Sequence, residues 1–185
     1  MTNECSALDI ANYLIYLMSS SCDDLSNMKL NKLLYYAQGH CLQKTGVVMF
    51  SDPIEAWEHG PIVTSVYHKY KSYGDSHISE FNTDDLNKLP DEYKDILLDV
   101  ARTYGRYTAA ALRNMTHVPK SPWSQVYKPN VQHVVISVPL ITDYFNKNVE
   151  ELHSAELNLS EDDLVGYRDS DGILVLPKEW DDEEV

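Results

Sequence analysis

Asp52, Glu55, Glu58 and His59 form the densest grouping of side chains able to hold a metal or move a proton. A metal needs its ligands to converge on one point. Residues 53–59 alternate as a short strand does, which turns Glu55 to the face opposite Glu58 and scatters the set. A solvated strand edge is the preferred reading. Cys41 paired with a histidine would make a nucleophile and its base. Cys41, however, falls on an apolar helix face, whereas a reactive thiol sits in exposed, electropositive surroundings. Cys5, Cys22 and Cys41 are odd in number and irregularly spaced, with no C-x-x-C pair and no zinc pattern, so they read as reduced thiols. There is no G-x-S-x-G, no phosphate-binding glycine loop and no H-E-x-x-H. A hydrolase or transferase would have to use His59 or His117, and no site is assembled around either. We therefore expect no enzyme, no cofactor and no metal.

Charge narrows the classes further. The net charge is −14, and residues 150–185 carry 13 carboxylates against Arg168 and Lys178 alone. Residues 1–149 are close to neutral by comparison, with 16 carboxylates against 13 Lys and Arg. Nucleic-acid binding depends on neutralising phosphates, so this balance argues against it. His68-Lys69-Tyr70-Lys71 mixes basic and aromatic residues but reads better as the solvated face of an amphipathic helix. No run approaches the ~20 apolar residues of a membrane span, and the apolar stretch from Ala7 to Met18 is broken by Asp9 and Asn12. These features predict a cytoplasmic protein without a membrane partner; they are silent on homo-oligomers.

The elements that must position any site follow from periodicity. A first helix is expected over residues 6 to 19. A second starts near Asn27 as N-cap and runs to about Lys44 before Gly46. It carries two apolar stripes: Leu30, Leu33, Leu34, Ala37 and Cys41, then Met28, Tyr35, Gly39 and Leu42. A helix apolar on two sides is packed on two sides, which places it at the centre, with Gly39 letting a neighbour's backbone approach closely. Lys29, Lys32, Tyr36 and His40 are left as a polar-aromatic stripe. After the strand at 53–59, Gly60-Pro61 is expected to open a helix with Pro61 in its first position. Further helices are expected over 90–104, after Thr108 and from Pro139, and a strand over Val131 to Val138. Leu164 to Leu176, around Asp171-Gly172, reads as a β-hairpin. The fold class is α+β, mainly α: a compact helical domain around a central buried helix (about 27–44), with a small antiparallel β-sheet and a C-terminal hairpin. The expected division is 1–149 for the domain and 150–185 for an acidic extension.

Three blocks together carry a recognisable signature: Met28-Lys29-Leu30-Asn31-Lys32-Leu33-Leu34-Tyr35-Tyr36-Ala37-Gln38-Gly39, then Glu55-Ala56-Trp57-Glu58-His59-Gly60-Pro61-Ile62-Val63, then Thr116-His117 with Pro122-Trp123. In this order and spacing the chain resembles the Panacea, or SocA-like, antitoxin domain over about residues 6–147. The resemblance implies the antitoxin of a bacterial or phage toxin–antitoxin pair, whose partner is a protein toxin neutralised by direct binding. It also implies a helical domain with a small sheet. The acidic extension lies outside the shared pattern. No helix-turn-helix or zinc ribbon is appended, so autorepression is not expected.

A binding role also follows from residue types. Lys29, Lys32, Tyr36 and His40 are the expected partner stripe of the central helix. Trp57, His59, His117 and Trp123 lie in turns, where amphipathic side chains can meet a partner, although both tryptophans also suit the core. Trp180, between Glu179 and Asp181, would anchor the acidic segment in a basic cleft of the partner; the alternative is that the hairpin completes the domain's own sheet. The competing function is an adaptor that delivers a bound protein to a protease.

Overall fold

The computed structural model describes residues 5–19 and 25–147. Helix α1 (Ala7–Met18) begins in a capping box: Ser6 Oγ accepts from the Asp9 amide, and the Asp9 carboxylate accepts from the Ser6 amide. Its apolar stripe, Ala7, Ile10, Ala11, Leu14, Ile15 and Met18, is buried. Helix α2 (Asn27–Thr45) is capped by Ser26, one residue before the expected Asn27, and ends on Gly46 at φ +72°. Asn27 serves inside the helix instead, where its Nδ2 donates to the Tyr67 carbonyl at 3.1 Å.

Strands β1 (Ile54–Trp57) and β2 (Gly60–Val63) pair antiparallel about a two-residue turn at Glu58-His59, with Ile54 opposite Val63 and Trp57 opposite Gly60. Helix α3 (Thr64–Tyr70) follows, extended by a 3-10 turn at Lys71–Tyr73, and a second 3-10 segment spans Thr83–Lys88. Helices α4 (Asp91–Tyr104), α5 (Ala109–Thr116), α6 (Pro122–Val126) and α7 (Val138–Lys147) complete the described chain. Thr108 caps α5 as expected, accepting from the Ala111 amide. Helix α2 packs against α1, α3, α4, α5, α7 and β2. The architecture is α+β, mainly α, around that one helix.

Two expectations fail in instructive ways. Pro61 opens no helix; it lies in β2, opposite Ala56, and α3 starts three residues later at Thr64. Among the described residues β2 bonds a neighbouring strand on one side only, and proline is tolerated in such a strand because its missing N–H can face away from the ladder. The strand expected over Val131 to Val138 shrinks to one bridge, Val135 with Glu55, and α7 already starts at Val138. Two bonds frame that bridge: Ala56 N donates to the Val134 carbonyl and Ile136 N to the Ile54 carbonyl, both at 2.8 Å. Positive φ at Asn130 (63°) and His133 (58°) breaks the extended run, so β-branched residues alone do not make a ladder. The expected hairpin at 164–176, the acidic extension and Trp180 lie outside the described residues.

Gly60 has φ +103°, and a Cβ there would stand 2.8 Å from Lys32 Cε and from Thr116 Oγ1. Gly60→Val is therefore expected to cost about 1–3 kcal/mol, from backbone strain and crowding together. Urea midpoints of the two proteins measure it; equal midpoints would remove the turn geometry from the account.

Candidate partner-binding site

The polar residues of α2 face inward. Asn31 Oδ1 accepts from the Val63 amide at 2.9 Å, and its Nδ2 donates to the Asn27 carbonyl at 3.0 Å. Gln38 Oε1 accepts from the Met49 amide at 2.9 Å, while its Nε2 donates to the Phe50 carbonyl at 3.0 Å. Lys32, with 0% of its surface exposed, donates from Nζ to the Pro61 carbonyl at 3.2 Å. Buried polar groups persist only where such partners exist. In α2 they staple β2 and the 49–50 turn to the helix.

The expected stripe on α2 must accordingly be corrected. Lys29 (3% exposed), Lys32 and Tyr36 are buried. Tyr36 stacks on Tyr104 at 4.0 Å, and half-buried His40 meets the Tyr104 hydroxyl through Nε2 at 3.0 Å. Six elements pack against α2, so Lys29, Lys32 and Tyr36 are not offered to a partner in the free chain, and only His40 of that stripe keeps part of its surface open.

The turn residues do converge. Trp123 Nε1 donates to the Trp57 carbonyl at 2.6 Å, and His117 Nε2 lies 3.1 Å from the Glu58 carbonyl. His117 packs on Trp123 at 3.6 Å between ring centres, and Trp123 stacks on Tyr127 at 4.5 Å. Trp57 and Trp123 are both half-buried, neither full core nor free surface, and His59 is buried beneath the turn. Trp57 Nε1 donates to Glu55 Oε2 at 2.9 Å, and His133 Nδ1 approaches the same oxygen at 3.1 Å. That explains how a carboxylate survives in the wall of the sheet. Ser121 Oγ donates to the Thr116 carbonyl at 2.7 Å and fixes the α5–α6 corner. The three sequence blocks thus meet at one place, the β1–β2 turn, with α2 below it and the α5–α6 corner beside it.

As chemistry the cluster is well occupied. Both His117 nitrogens face carbonyl oxygens, Nδ1 that of Arg113 at 2.6 Å and Nε2 that of Glu58 at 3.1 Å. A neutral ring has one N–H and can donate to only one of them. Burial lowers the His117 pKa from its ordinary value; the two carbonyls pull the other way, and the charges of Arg113 and Lys32 lower it further. A histidine lowered in the folded state contributes stability that is full above its ordinary value of about 6.5 and is lost as pH falls through the lowered one. Stability should therefore rise as pH climbs from the lowered value to just past the ordinary one, and His117→Gln should flatten that slope, as read from urea midpoints on either side of it. An unchanged slope would clear His117 of the role.

Cys41 is fully buried, and burial pushes its thiol up. Asp52 of the expected acidic cluster is spent on structure, accepting from the Ala7 amide at 3.0 Å and from Ser65 Oγ at 2.7 Å. Among the described residues no group of three or more His, Cys, Asp or Glu side chains is placed to hold a metal. None of their helices is long and apolar enough to cross a membrane.

Comparison with known proteins now assigns the arrangement. The sequence profile described as "Antitoxin SocA-like, Panacea domain" matches residues 30–124. This chain belongs to the SocA-like Panacea domain family. The protein named Antitoxin SocA of Caulobacter vibrioides (strain NA1000 / CB15N) is 30% identical over 127 residues, covering 63% of this chain and 68% of that relative. No solved structure gives a significant match. The Panacea match begins at Leu30 and ends just past Trp123, so it takes in α2, the hairpin and the α5–α6 corner.

Proposed function

We propose that this chain is a cytoplasmic antitoxin that neutralises a protein toxin by binding it directly, with no catalysis of its own. The observation that carries this is membership of the SocA-like Panacea family, together with a relative that is itself named an antitoxin. The side chains add support. His117 is held between two carbonyls, Cys41 is buried with a raised pKa, and Asp52 braces two elements, so each of these three side chains has a structural part to play. The three-block cluster serves as a rigid frame, which keeps low the ordering cost that binding would otherwise carry. Co-expression with the product of the adjacent reading frame tests the class. That product should arrest growth when expressed alone and should be silenced by this chain. Growth unaffected by the product, or arrest unrelieved by this chain, would count against an antitoxin.

A further inference from the structure

A second face, away from the three-block cluster, is formed by the outer side of α1, the Thr83–Lys88 segment and the start of α4. Tyr16, 41% exposed, is the one aromatic among the large apolar side chains left open on the described surface. Its ring meets Phe81 edge-on at 5.5 Å and Tyr13 at 5.7 Å. The loop carrying Phe81 is strapped to α1 by two bonds: Asn82 N donates to Asn12 Oδ1 at 2.7 Å, and Asn12 Nδ2 donates to the Asn82 carbonyl at 3.0 Å. The aromatic group is thus held in place before any partner arrives, which limits the ordering cost of docking.

The rim of this face is acidic beyond what the fold uses. Residues 75–99 hold eight carboxylates against Lys88 and Lys94, whereas residues 100–147 hold six Lys and Arg against Asp143 alone. Both lysines are already engaged, Lys88 with Asp85 and Lys94 with Asp91, and Lys44 reaches across to Asp99 at 2.7 Å. Asp84 and Asp95 are exposed and form no ion pair among the described residues, although the charge of Asp84 acts on Lys88. Burial raises the Tyr13 hydroxyl pKa, the charge of Lys94 pulls it down, and those of Asp95 and Asp91 push it up more weakly, which places rim and aromatics on one surface. A pre-ordered aromatic centre inside a rim of net negative charge, Asp84, Asp85, Asp91 and Asp95 against Lys88 and Lys94, matches a protein with an apolar pocket inside a basic rim. Phosphate chains and anionic lipid surfaces are repelled by the same rim.

We propose that this Tyr16-centred face is where the toxin docks, and that the toxin meets it with a basic-rimmed apolar pocket. The inference rests on the antitoxin reading, and the test separates the two. The full chain is titrated with the purified product of the adjacent reading frame. Tyr16→Ala should weaken binding at least about tenfold, the Asp84→Lys, Asp95→Lys double variant by as much at low salt, and added salt should weaken the wild type far more than that double variant. Asp143→Lys on α7 should stay within about twofold; the charge variants should keep the wild-type melting temperature, and Tyr16→Ala, which gives up its ring contacts with Tyr13 and Phe81, should still unfold cooperatively and well above the titration temperature. If Tyr16→Ala and the double variant bind like the wild type, the docking face is wrong while the antitoxin reading stands. If the wild type does not bind at all, the antitoxin reading fails and takes the docking face with it. A self-associated wild type that Tyr16→Ala converts to monomer would assign the face to a second copy and overturn the proposal.

Discussion

Lys32→Glu should leave little folded protein. The Lys32 side chain is wholly enclosed, and its ammonium donates to the Pro61 carbonyl next to Gly60. A carboxylate in that place can only accept, so it would face a carbonyl oxygen with its own charge buried. Leaving a buried charge without its compensation costs about 3–5 kcal/mol, a large share of the 5–15 kcal/mol that holds a typical domain together. Lys32→Met keeps most of the volume without the charge and should cost far less. Urea unfolding followed by circular dichroism orders the three proteins. A Glu variant as stable as the wild type would mean that Lys32 reaches water.

Phe145→Ala should cost about 3–5 kcal/mol, because the ring is fully buried and packs edge-on against Tyr35 and His40 at 5.6 and 5.5 Å. Gly39→Ala tests the other side of the same contact. A Cβ on Gly39 would stand 2.2 Å from Phe145 Cζ and 2.3 Å from Cε2, so either the ring or α7 must move. Alanine gains about 1 kcal/mol over glycine in a helix interior, yet overpacking costs about 1–3 kcal/mol, and the ring's aromatic neighbours leave it little room to yield. We expect net destabilisation by Gly39→Ala alone and near-neutrality or a gain when Phe145 is already Ala. A thermodynamic cycle should thus show a coupling of at least about 1 kcal/mol. Additive effects would mean that α7 does not close on Gly39.

Most of the elements were legible in the sequence because local signals and tertiary demands agree there. The helices expected over 6–19 and 90–104 form as α1 and α4, Thr108 caps α5, and the two apolar stripes of α2 match its central place. Close approach at Gly39 is expected from its place in the stripe, but it is the Phe145 side chain and not a backbone that approaches. The misreadings share one cause. A polar residue between apolar stripes looks like surface in the sequence, but a helix buried over most of its length needs polar side chains to pair with its neighbours' backbone, as Asn31, Lys32 and Gln38 do. No spacing within α2 reveals that carbonyls wait on its third side. Pro61 carried a helix-start signal that an edge strand satisfies equally well. Of the expected contact residues, Trp57, His59, His117 and Trp123 do gather at one turn, while Lys29, Lys32 and Tyr36 lie beneath the surface. The Tyr16 face went unread, although its signals were present: Tyr13 and Tyr16 fall outside the α1 stripe, and carboxylates crowd residues 75–99.

The central claim, neutralisation by direct binding, is tested most directly by titrating this chain into an activity assay of the purified adjacent-frame product, with no protease present. Inhibition should be complete at one equivalent or a small fixed ratio and should be reversed when this chain is removed. Inhibition that appears only once a protease is added would make the chain an adaptor. A lasting change to the target at a ratio far below one would make it a catalyst, and either outcome contradicts the account.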